Sequence, residues 1–195
     1  METSQYELIK TKFGQFSSWA IWNDTGINQV NSTTIEKSID RLHSKFVIIG
    51  FNASRNLAGN WMNFHMPHQG GRDTWLAEIF NKEPFIGAYM TDLIKINEND
   101  TSIDISKAAE VEHRFFQTSN PKDLYISRMQ KQSFKEEMEL IGADENTIFV
   151  LIGELTFRYF DCFTDFRYPN KRSIPHYAGR FAKQEWIEKC CYILG

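Results

Sequence analysis

The 195-residue chain has few cysteines: only Cys162, Cys190 and Cys191. An odd count with an adjacent pair excludes a disulfide framework and points to a reducing compartment. Five Pro and 11 Gly are too few for a collagen-like or linker-rich protein. No apolar run is long enough to span a membrane, and no basic N-terminus leads into one, so a cytoplasmic protein without a membrane partner is expected. Positive charge is not in excess: 22 Lys and Arg face 25 Asp and Glu, a net of −3. That excludes a tail-driven nucleic-acid binder, though not a local basic groove. Neither a nucleophile elbow of the Gly-x-Ser-x-Gly type nor a Walker-type phosphate loop is present. Internal repeats and a clear domain boundary are also missing, so one domain over 1–195 is expected, with a helical part at 1–44 and a core at 45–191.

Aromatic side chains are plentiful, with 16 Phe, 7 Tyr and 5 Trp. Three apolar stretches read as buried strands: Phe46 to Ile49, Phe85 to Ile94, and Ile148 to Ile152. Helical spacing lies between them. Ile35, Ile39 and Leu42 precede the first strand, and Trp75, Leu76, Ile79 and Phe80 follow Asp73 as a candidate N-cap. Asn120-Pro121 opens a longer helix that Gly142 closes, and Trp186, Ile187, Cys190 and Cys191 suggest a last one. Trp19 and Trp22 read as part of a helix on the core edge, and the acidic 97–112 segment as a solvated insertion. Strands alternating with helices predict an α/β three-layer α/β/α sandwich around a mainly parallel, roughly four-stranded sheet.

In such sheets ligands bind beyond the carboxyl ends of the strands. Gly50-Phe51-Asn52-Ala53, Thr91-Asp92 and His176-Tyr177-Ala178 fall there, so Asn52 and His176 are expected in one pocket on adjacent strands. In their order and spacing these segments resemble motifs of the uracil-DNA glycosylase superfamily. Gly50-Phe51-Asn52-Ala53 is similar to the Gly-x-Asn-Pro motif of the mismatch-specific and single-strand-selective branches, with Ala53 in the place of Pro. Thr91-Asp92-Leu93-Ile94-Lys95 is similar to the strand that ends in a base-reading Asn, with Asp in its place. His176-Tyr177-Ala178 stands where the family carries His-Pro-Ser. Phe64, twelve residues past Asn52, matches the aromatic that stacks on the base, and Gly71 to Phe80 resembles the helix that follows. Phe149 to Phe160 resembles the strand-glycine-helix unit before the last motif. The resemblance covers roughly residues 45–191 and implies a monofunctional DNA glycosylase acting on a deaminated or mismatched base. It implies Asn52 and His176 as catalytic residues and Phe51, Phe64 and Asp92 as base-binding ones.

The residue chemistry stands on its own. Cleaving an N-glycosidic bond leaves negative charge on the base, which a donor such as His176 would stabilise. Asn52 cannot be a strong base, but it can position water. Phe51 or Phe64 offers a π-face. The resemblance sets Asp92 against the uracil edge that the family's Asn reads; as a carboxylate it has acceptors only, would oppose O4 and would favour a base with two donors or an amino group, while protonation would restore a donor and rescue uracil. Each residue also has a plain structural reading: Gly50 ends a strand, Asn52 makes a turn, His176 sits in a loop, Phe64 fills the core, and Asp92 caps a helix or pairs with Lys95.

Residues 165–183 carry Arg167, Lys171, Arg172, Arg180 and Lys183 against Asp165, a local net of +4. DNA-binding roles fall to Arg172, Arg180 and Lys183, with DNA or a nucleotide or nucleobase as ligand and a monomer as the expected state. His65 and His68 with Asp73 form the rival metal constellation, which lacks a third ligand at diagnostic spacing. Three cysteines cannot hold a four-cysteine iron–sulfur cluster, so no cofactor and no metal are expected. Three functions remain open: a glycosylase, a non-catalytic nucleic-acid or nucleotide-binding protein on the same fold, and a metal-dependent hydrolase using His65 and His68.

Overall fold

A computed structural model describes residues 1–22, 32–53, 59–65, 72–96, 104 and 106–195. In chain order the elements are α1 (Thr3–Phe13), β1 (Ser17–Trp19), α2 (Ser32–Glu36), β2 (His43–Asn52), α3 (Asp73–Phe80), β3 (Ala88–Ile94), α4 (Ala108–Glu112), α5 (Pro121–Leu140), β4 (Ile148–Ile152), α6 (Glu154–Thr164), β5 (Lys171–Ile174) and α7 (Lys183–Leu194). The protein is α/β, with a five-stranded sheet in the order β1-β3-β2-β4-β5. The last four of these strands are mutually parallel, and β1 is antiparallel to β3. The helices fit a three-layer α/β/α arrangement. No helix among the described residues is long and apolar enough to cross a membrane.

The apolar runs became the central strands because burial on both faces favours them there. Val47, Ile48, Ile49, Phe149, Val150 and Leu151 are fully buried. The helix signals at α5 also act as predicted. The Asn120 side chain accepts from Lys122 N–H at 3.0 Å, and Pro121 needs no partner at the first helical position. Gly142 follows the last turn at φ +74°.

Four expectations change. Trp19 belongs to a strand rather than a helix, and its segment adds the antiparallel edge as a fifth strand. Phe85 to Gly87 form a turn before β3, where Gly87 N–H donates to Ala20 O and Ala88 N–H to Phe85 O. The residue flanking α3 is Arg72, so Asp73 lies inside the first turn. Of the acidic segment, residues 97–103 and 105 lie outside the described residues, while 108–112 are helical and His113–Gln117 continue as a π-turn.

Candidate functional site

Because β2 to β5 run parallel, their carboxyl ends share one edge of the sheet. Asn52 closes β2, Asp92 pairs in register with Gly50, and His176 follows the end of β5 by two residues. The expected adjacency is corrected: β4 lies between the strands bearing Asn52 and His176. Gly153, just after β4, narrows that gap. It sits at φ +87°, and a Cβ there would lie 3.3 Å from His176 Cβ. Only glycine accepts that backbone without strain, and the missing side chain lets the histidine lie over the strand end.

Gly50 makes a second close approach. A Cβ at Gly50 would lie 2.1 Å from Asp92 Oδ1 and 3.2 Å from Phe64 Cζ. The absent side chain thus brings the Asp92 carboxylate and the Phe64 ring against the same backbone. Period-2 alternation puts Asn52 on this face of β2 and Phe51 on the other. Phe51 packs with Phe116 at 5.9 Å and Tyr159 at 6.2 Å between ring centroids, so the structure does not bring it to Phe64 and Asp92. Asn52 Nδ2 donates to Ala53 O at 3.0 Å.

Phe64 holds φ +65° and Trp61 φ +63°, conformations that cost a bulky side chain about 1–2 kcal/mol each. The N-terminal segment keeps them there. Trp61 N–H donates to Gly14 O, Trp61 Nε1 to Tyr6 Oη, and Ser18 Oγ to Trp61 O. Asn63 Nδ2 donates to Phe16 O and to Asp92 Oδ2, each at 2.8 Å. Asp92 is 3% exposed and Asn63 4%. The expected Asp92–Lys95 pairing takes another form, because Lys95 Nζ donates to the Asp92 backbone carbonyl and pairs with Glu137 at 2.7 Å.

The His176 ring accepts from Ala178 N–H at Nδ1, 3.0 Å away, and stacks on Tyr177 with centroids 4.7 Å apart. A nitrogen that accepts carries no proton, so the neutral ring is a donor at Nε2. The loop is pinned from behind. Arg72 Nη1 donates to Tyr177 O at 3.1 Å and Gly179 O at 2.7 Å, and Trp186 Nε1 donates to Pro175 O at 2.8 Å. The Arg72 guanidinium lies 4.7 Å from the Trp75 ring.

Among the expected DNA contacts, Lys183 pairs with Glu78 at 2.8 Å. Arg172 Nη1 donates to Ile193 O and Leu194 O at the end of α7, where a cation suits the helix dipole. Lys171 pairs with Asp161, and Arg167 with Glu139 at 3.3 Å. Arg180 is exposed and makes no ion pair among the described residues. The cationic stretch is therefore largely committed to internal partners.

His65 lies in the core, with Nε2 3.0 Å from Trp19 O and its ring 4.6 Å from Trp22. Burial pushes its pKa down to about 4, so the neutral ring donates to that carbonyl. His68 lies outside the described residues, and no cluster of three metal-ligand side chains occurs among the described ones.

Asn63 and Arg72 are the two site residues that sequence reasoning missed. Asn63 left one trace, a polar residue between Met62 and Phe64 in an aromatic-rich stretch. Arg72 left none. In comparisons with protein-family models, curated proteins and solved structures, nothing matches this chain.

Proposed function

We propose that the protein hydrolyses the N-glycosidic bond of a deaminated or mismatched base turned out of a DNA strand. The observation that carries this reading is the packing of Asp92 and Phe64 on Gly50, with Asn52 two residues further along the same strand. In this reading the flipped base lies on the Phe64 ring and its edge meets Asp92. As the bond between the base nitrogen and C1′ breaks, its electron pair goes to the base. His176 Nε2–H donates to a base oxygen and stabilises that charge. Asn52 holds a water below the sugar. The water adds to C1′ and loses a proton, giving an abasic site and, after protonation, the free base. Exposed Arg180 is the basic-stretch residue open to a phosphate.

The test is release of free base from oligonucleotides carrying uracil, hypoxanthine, xanthine, thymine or an unmodified base. Release from at least one is expected, with loss of about 100-fold in His176→Ala, the size of effect seen when an oxyanion donor is removed. DNA binding without release from any oligonucleotide would overturn the hydrolase reading in favour of a non-catalytic binding protein.

A further inference from the structure

β5 is an outer strand of the sheet, with β4 on one side only. Asn170 O and Ile174 O accept from Phe149 N–H and Gly153 N–H, both at 2.9 Å. Alternation along the strand turns the backbone groups of Lys171 and Ser173 the other way. Neither N–H and neither C=O has a hydrogen-bond partner among the described residues. The next outward positions are Pro169 and Pro175, which have no N–H to offer. Such an edge is commonly guarded by charge, but here the charges are spent within the chain. Lys171 pairs with Asp161 on α6, and Arg172 donates to Ile193 O and Leu194 O at the end of α7. Exposed aromatic rings border the same strand. The Lys171 ammonium lies 6.0 Å from the Phe157 ring, and Phe166 N–H donates to Asp161 O. Tyr192 precedes the two carbonyls that hold Arg172. Phe166 is 76% exposed and Tyr192 90%. Of the exposed Phe, Tyr and Trp side chains among the described residues, only Tyr125 lies elsewhere.

We infer that β5 is the contact between two copies of this chain, paired antiparallel about a two-fold axis at Arg172. This departs from the monomer expected of the sequence and does not depend on the chemistry proposed above. In that register Lys171 lies opposite the second copy's Ser173, and Ser173 opposite the second copy's Lys171. The copies exchange four hydrogen bonds, and every outward N–H and C=O of the strand is used. A shift of one residue sets outward groups against groups already bonded to β4. A shift of two sets Ser173 opposite Pro169 or Lys171 opposite Pro175, and bonds are lost. The strand therefore matches itself best in one register. Arg172 faces its own copy there, with each guanidinium already turned back onto α7. A charged partner of another kind would find both cations of the strand committed, whereas a second copy brings the same pair of outward residues between prolines. Four backbone bonds are few for a dimer, and burial of the bordering rings adds the apolar area that a stable one needs. Each copy spends its β5 edge, so the assembly closes at two.

The test is light scattering of the full chain from about 1 μM to about 1 mM, with amide hydrogen exchange at both ends of that range. The mass is expected to rise from one chain to two. The Lys171 and Ser173 amides should exchange at least about tenfold more slowly at the high end. Ser173→Pro removes an N–H that has no partner within the chain, and it should raise the dissociation constant at least about tenfold. A monomer over the whole range overturns the inference and leaves the edge to some other extended segment. A dimer whose Lys171 and Ser173 amides exchange as fast as in the monomer overturns it too, as does one that Ser173→Pro leaves equally tight. A mass beyond two chains also contradicts it. If Ser173→Pro does not fold, the mass and the two amides of the unmodified protein decide.

Discussion

Two buried carboxylates flank β3, and their surroundings differ. Glu137, on α5, is fully buried. It accepts from Tyr89 Oη at 2.8 Å and Thr91 Oγ1 at 2.9 Å, and pairs with Lys95 at 2.7 Å. The cluster is sealed by Phe134, whose ring lies 5.2 Å from Lys95 Nζ. Asp92 points the other way from the same strand, toward Gly50, Asn63 and the ring of Phe64. Glu137 lies in the middle of a helix and ties α5 to the sheet. Asp92 lies at the carboxyl end of a parallel strand, where the topology gathers Asn52 and His176. Glu137 thus ties a helix to the sheet, whereas Asp92 fixes the Asn63 segment against the carboxyl end of β2.

Breaking the Glu137 side should have the largest effect on stability. Lys95→Met leaves a buried carboxylate without its cation and should cost about 3–5 kcal/mol in urea unfolding. Lys95→Met with Glu137→Met should recover much of that loss. By contrast, Asp92→Asn keeps an acceptor for Asn63 and should cost only about 1 kcal/mol, the difference between a charge-assisted and a neutral hydrogen bond.

His65 sharpens the comparison, since it neighbours Phe64 yet lies in the core against the Trp19 carbonyl and the Trp22 ring. Its folded pKa of about 4 lies below the ordinary 6.5. As pH falls from about 6.5 to about 4 the unfolded chain takes up the proton first. His65 should therefore remove about 3 kcal/mol of stability across that window, and no more below it. Unfolding at pH 7 and pH 4.5 should show this loss in the unmodified protein and a smaller one in His65→Gln.

Gly50→Ala strikes the Asp92 side directly. The added methyl must displace the carboxylate or the Phe64 ring, at a cost of about 1–3 kcal/mol. Base release should fall with it, as the oligonucleotide assay reads. The smallest effect is expected from Arg172→Gln with Lys183→Gln. Both cations already have internal partners, so DNA affinity at low salt should change less than about threefold, while Arg180→Gln should reduce the salt slope by about 1.

The strand cores were legible because uninterrupted apolar runs have few other places to go. β4 matches its run residue for residue, and β2 contains its run with extensions at both ends. β1 was not legible: three residues, Ser17-Ser18-Trp19, carry no alternation, and only pairing with β3 makes them a strand. That Asn52, Asp92 and His176 would lie near the carboxyl ends of strands was legible from the apolar runs. Strand order was not, because nothing local announces that β4 comes between β2 and β5. Asn63 and Arg72 escaped because they act through backbone carbonyls distant in sequence: Phe16, Tyr177 and Gly179.

The central claim is that the Gly50 edge is a nucleobase site. Its most direct test is a crystal structure of the protein with a single-stranded oligonucleotide carrying a central 2′-fluoro nucleotide of a base that it releases. The account predicts that base turned out of the strand, its ring on Phe64, its edge against Asp92, and His176 Nε2 facing a base oxygen. A base that stays stacked in the strand, or binds away from Asp92 and Phe64, would contradict it.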